Sequence, residues 1–126
     1  DMANASNYVS YMTNIAPTLK KKNCKLFYMS VNPINSTMIT KAGRGARTEA
    51  QVREFNSKIH SGLSVYYKFI DTYSVLMKKG YGTNASYVGV DRDSDDGLHY
   101  TTKTYKRIYY YCVTYLNTGS INATYY

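Results

Sequence analysis

Apolar residues recur at helical spacing over residues 5–22, where Tyr8, Val9, Met12, Ile15, Ala16 and Leu19 share one side of the chain. That pattern predicts an amphipathic helix. Pro17 interrupts it, and because proline removes a backbone donor and crowds the preceding turn, a kink or early end is expected there. The period then changes. Lys25–Val31 reads KLFYMSV, a nearly unbroken apolar run closed by Asn32-Pro33, as expected of a strand covered on both faces of a parallel sheet. Residues 32–47 are polar, contain Gly43 and Gly45, and read as a long loop of the kind that often forms a functional rim or lid. Thr48 and Gln51 have the spacing of a capping box. Val52, Phe55, Ile59 and Leu63 continue from it on one helical stripe, with Gly62 as the stop signal.

Val65–Ile70 (VYYKFI) predicts a second strand. Asp71 or Thr72 is placed to cap a short helix running through Leu76 and Met77 to Gly80. Residues 81–99 read as another polar loop. Tyr105, Ile108, Tyr109, Cys112 and Leu116 define a last amphipathic helix opening near Thr101 or Thr102. Strands alternating with helices imply βαβ crossovers and a parallel sheet with helices on both faces. Two strands alone leave buried-type edges open, so further strands are expected from outside these residues.

Composition narrows the function classes. The 126 residues contain 44% hydrophobic side chains, enough for a packed core and against global disorder. No apolar run is long enough to span a bilayer. Sixteen basic against 8 acidic residues give a net charge of +8, which favours anionic partners. The cations are dispersed, however, and Lys20–Lys22 reads as a solvated helix end, where the helix dipole favours positive charge. No nucleic-acid module is visible, so no specific nucleic-acid partner is expected. Cys24 and Cys112 lie far apart and form no C-x-x-C pair, which gives no zinc or redox motif; they are expected to be buried free thiols, with a disulfide as the alternative. Sixteen tyrosines without a tryptophan suit half-buried helix faces and carbohydrate-lined clefts alike.

The candidate chemistry lies at Asp96-Gly97-Leu98-His99, followed by Tyr100 and a helix-opening threonine. This block resembles the closing block of SGNH/GDSL hydrolases. KLFYMSVNPIN resembles the fourth sheet strand and the loop after it in bacterial, often secreted, members. FNSKI, YKFIDTYSVL and DGLHYTTKTYKRIYYYCVTYLN resemble the elements that follow. The resemblance runs from Asp1 to about Asn117, with Asp1 matching the end of the Gly-x-Asn-Asp block. It implies the carboxyl-terminal portion (1–117, with 118–126 as a tail) of one three-layer α/β/α flavodoxin-like domain with a parallel sheet. It also implies secretion or a cell-surface location. In the family, Asp and His of this block join a serine in a catalytic set. His99 would take the hydroxyl proton during attack on an ester and return it to the leaving alcohol, while Asp96 fixes the imidazole tautomer. The competing reading of His99 is a capping or surface residue. His60 reads as surface or packing.

The departures matter equally. No Gly-Asp-Ser segment is present, and none of the eleven serines lies in a strand-to-helix turn of the nucleophile type. Ser30 falls within a predicted strand. This chain alone is therefore expected to be inactive, with the serine supplied by a missing amino-terminal segment or a second copy. The parent activity expected is carboxylic-ester hydrolysis, with deacetylation of a carbohydrate or cell-wall polymer as one form of it. The alternative is a non-catalytic binding module that keeps the fold.

Asn32, Arg44 and Arg47 are candidate substrate contacts because they follow the first strand's carboxyl end, where open α/β sheets bind ligands. For both arginines the competing reading is a solvated loop. Asp91, Asp93 and Asp95 hint at a calcium loop, but Asp96 and Thr102 stand where such a loop needs glycine and glutamate. No metal or cofactor is expected. The Asn-x-Ser/Thr triplets at Asn4, Asn35, Asn84 and Asn122 fit glycosylation only in a eukaryotic secretory setting, and the bacterial resemblance discounts them.

Overall fold

The computed structural model describes residues 4–82 and 96–124. In chain order the elements are α1 (Ala5–Lys21), β1 (Phe27–Met29), α2 (Ser36–Lys41), α3 (Glu49–Leu63), β2 (Lys68–Ile70), α4 (Thr72–Lys78) and α5 (Thr102–Thr118). β1 and β2 pair in parallel, with Tyr28 opposite Phe69, as the alternation of strand and helix predicts. Helices cover both faces. Tyr28 and Phe69 stack on one face, where Phe69 also lies against His60 of α3. On the opposite face Phe27 meets Tyr115 of α5 edge-on. The protein is thus mixed helix and sheet around a small parallel pair.

The α1–α3 side is packed by Ala16, Leu26, Phe55, Ile59, Leu63 and Tyr67. Burying each large aliphatic side chain here contributes roughly 1.5–3 kcal/mol. α1 and α3 approach closely because Gly62 has no side chain. A Cβ there would stand 2.5 Å from Cγ1 of Val9. Gly62 is therefore a packing residue within α3, not its stop, and α3 continues to Leu63. The other side is held by Leu76, Tyr81, Tyr100, Ile108 and Tyr111. Ile121 packs against this cluster and the amide of Asn122 donates to Thr114 Oγ1 at 3.1 Å, so residues beyond α5 fold back onto it.

Several local expectations change. Pro17 does not end α1, which runs on to Lys21. The strands are three residues each, shorter than the apolar runs that announce them. The stretch 32–47 is not simply a loop. It contains α2, capped by Asn35, whose side chain accepts from the Met38 amide at 3.1 Å, with Ile39 fully buried. Cys24 is exposed and Cys112 only half-buried, though both are free. Cys24 lies in the turn that leaves α1, beyond the packed stripe, which explains its exposure.

The tyrosines are structural as much as superficial. Burial, with a smaller push from Tyr8, raises the Tyr28 phenol to about 12. Burial and a hydrogen bond to Glu49 raise Tyr73 to about 12 as well. Tyr100, 6% exposed, is also raised, first by burial and then by Tyr81. A group whose folded pKa is raised stabilises the fold fully below its unfolded value, near 10 for tyrosine, and loses that contribution as pH climbs toward the folded value. We therefore expect a urea midpoint that is flat from pH 7 to 9 and falls between pH 10 and 12. Tyr100, the most deeply buried of the three, should contribute most to this fall, and Tyr28 and Tyr73 less. Phenolate absorbance followed through the same titration checks it, and an unchanged midpoint at pH 12 contradicts it.

Candidate functional site

The turn at 96–99 is built by its own carboxylate. Asp96 Oδ1 accepts from the amides of Leu98 at 2.9 Å and His99 at 3.0 Å, an aspartate turn in which a side chain replaces a backbone acceptor. The second oxygen, Oδ2, lies 2.6 Å from His99 Nδ1. Asp96 is buried, with its side chain 10% exposed, while that of His99 is 62% exposed. One end of the imidazole is thus gripped by a sunken, doubly anchored carboxylate. Among the described residues the other nitrogen, Nε2, makes no hydrogen bond. With the Nδ1 proton directed at Asp96, Nε2 carries the free lone pair. The arrangement is a positioned proton acceptor open to solvent.

The turn is seated at the carboxyl ends of the strands. The Gly97 carbonyl accepts from the Asn35 amide at 3.0 Å. The Tyr100 hydroxyl donates to the Pro33 carbonyl. Leu98 packs with Ile34, Ile39, Val52 and Tyr73. Gly97 adopts φ +78°, where a side chain is strained, and it lies so close to α2 that a Cβ would stand 2.5 Å from the Asn35 carbonyl oxygen. The segment that leaves β1 therefore serves as the platform for the turn.

That segment is tied in turn to the residues leaving β2. Thr72 Oγ1 donates to Asn32 Oδ1 at 2.6 Å. Having one proton, Thr72 must accept in its 3.1 Å contact with Ser30 Oγ. Ser30 also accepts from the Tyr73 amide at 2.8 Å. At 1% exposure, with its proton held by Thr72, Ser30 has neither the access nor the free hydroxyl of a nucleophile. Asn56, from α3, matches the edge of the chain just past β1, its amide accepting from Val31 N at 2.8 Å and donating to Val31 O at 2.9 Å.

Of the residues singled out in sequence, Asp96 and His99 are brought together directly. Asn32 lies half-buried on the platform, held by Thr72. Arg44 and Arg47 are exposed beyond α2. Asn35, which carries a glycosylation triplet, is 6% exposed and occupied in capping. Asp91, Asp93 and Asp95 lie outside the described residues. Among the described residues no group of three or more His, Cys, Asp or Glu side chains could hold a metal, and no helix is long and apolar enough to cross a membrane. Gly97, Asn35 and Tyr100 were not singled out for the site beforehand. The Asp-Gly turn pair and the Asn-Ser-Thr cap were the signals that could have found the first two.

No protein-family model matches the chain, and no curated protein or solved structure matches it.

Proposed function

We propose that this chain supplies the histidine base and its carboxylate partner to a serine carboxylic-ester hydrolase of the SGNH type. The nucleophilic serine and the remaining strands of a three-layer flavodoxin-like sheet would come from outside these residues. One observation carries the reading: a solvent-facing imidazole whose Nδ1 is held 2.6 Å from a buried carboxylate, on a turn docked at the carboxyl ends of parallel strands. In such a site Nε2 of His99 removes the serine proton as the hydroxyl attacks the ester carbonyl. It then protonates the departing alcohol, while Asp96 stabilises the transient imidazolium. Asn32, on the segment that leaves β1 and carries the turn, is a proposed substrate contact. Arg44 and Arg47 are exposed cations suited to acidic groups on a larger substrate. An acylated carbohydrate or cell-wall polymer is the substrate class proposed, with secretion or surface display as the matching location.

In the full-length protein His99→Ala should lower kcat/KM for p-nitrophenyl acetate by about 10³-fold or more. Because the ring is largely exposed, its thermal midpoint should shift by no more than a degree or so. A fluorophosphonate label should attach to one serine of the same protein. Unchanged turnover in the variant, or no labelled serine, removes the hydrolase reading.

A further inference from the structure

A cavity of about 240 Å³ lies at the opposite end of the sheet from the Asp96–His99 turn. Leu26 and Phe27 enter it where β1 begins, and Lys68 where β2 begins, so the strands' amino ends form its floor. Lys20 and Lys25 join Lys68 at its rim, and Tyr66, Tyr115 and Leu116 complete the wall. Among the described residues none of these three lysines makes an ion pair. The carboxyl ends of α1 and α5 border the cavity, and each adds roughly half a negative charge. Three ammonium groups outweigh that, and the rim stays positive.

The walls restrict what would fit. Phe27 and Tyr115 meet edge-on with centroids 6.2 Å apart, and such rings accept a flat aromatic body by stacking or edge contact. The volume is just below the range of drug-sized ligand pockets, which starts near 300 Å³. We propose that this cavity binds a small aryl anion, the ring lying against Phe27, Tyr66 and Tyr115 and the anionic group meeting Lys25 and Lys68. The site is separate from the Asp96–His99 turn and does not depend on any esterase activity.

Phenyl phosphate is a suitable probe. Titrated into the whole chain and followed by heteronuclear NMR, it should shift the resonances of Phe27, Tyr66, Lys68 and Tyr115 together. Inorganic phosphate, which lacks the ring, and benzyl alcohol, which lacks the charge, should each bind at least tenfold more weakly. Lys25→Gln with Lys68→Gln, both with exposed side chains, should weaken phenyl phosphate at least tenfold and leave the far-ultraviolet circular dichroism unchanged. Charge reversal at the same positions (K25E, K68E) should abolish binding. Shifts located elsewhere, equal affinity for benzyl alcohol, or full affinity in the folded double glutamine variant would each overturn the proposal.

Discussion

Asp96→Asn is expected to lower ester turnover of the full-length protein by about 10⁴-fold while leaving the fold in place. The asparagine carbonyl can still accept from the Leu98 and His99 amides that Asp96 Oδ1 now serves. Its NH₂ group, however, replaces the oxygen that faces His99 Nδ1 at 2.6 Å. An NH₂ can only donate there, so Nδ1 must accept and the imidazole proton moves to Nε2. The nitrogen that should act as base in the proposed hydrolase is then already protonated. Circular dichroism and urea midpoint should remain near wild type as kcat collapses. Asp96→Ala should differ in a telling way. It leaves two amides without their acceptor and costs about 1–3 kcal/mol of stability in addition. Wild-type turnover in D96N would remove the carboxylate from the mechanism, whatever the histidine does.

Gly97→Ala should be strongly destabilising. The residue sits at φ +78°, and a Cβ there would stand 2.5 Å from the Asn35 carbonyl oxygen and 2.8 Å from the Ile39 amide nitrogen. Both obstacles are backbone, and both belong to the start of α2, which cannot yield as a side-chain tip would. The left-handed conformation costs an alanine roughly 1–2 kcal/mol. Relieving the contact would also break the hydrogen bond from the Asn35 amide to Gly97. We expect a total loss of about 3 kcal/mol or more by urea denaturation. In the fraction that folds, ester turnover should fall too, because the displaced turn carries His99. A variant with wild-type midpoint and turnover would show that the turn does not depend on its seat against α2.

Much of the chain's local structure was legible beforehand, and the reasons are specific. The Thr48–Gln51 capping box forms with both of its hydrogen bonds, because a cap is a matter of residues three apart. Val52, Phe55, Ile59 and Leu63 are all buried as their spacing requires. Asp71 caps α4, accepting from the Ser74 amide. α2 was hidden because Ser36-Thr-Met-Ile-Thr-Lys contains β-branched residues that lose rotamer freedom in a helix. What holds it is Ile39 in the core and the Asn35 cap, and only the first depends on distant partners. Pro17 misled in the other direction, since α1 tolerates it while Ala16 and Leu19 keep their packing on α3.

The candidate site divides along the same line. Asp96 and His99 are three residues apart, so one turn brings their side chains together, and the pair could be named from the chain alone. Which end of the sheet carries the turn, how deeply the carboxylate sinks and which nitrogen stays open depend on residues more than sixty positions away. Pro33 and Asn35 are the clearest of these, through Tyr100 and Gly97. The sequence by itself determined the helices other than α2, the two strands, their parallel sense and the imidazole–carboxylate pair, since each follows from interactions over a few residues or from the alternation of elements. Only the tertiary structure decided that Ser30 is sealed away by Thr72, that Gly62 and Gly97 are contact points, and that three lysines gather around an aromatic cavity. Those outcomes arise where segments remote in sequence meet, and no local pattern records such meetings.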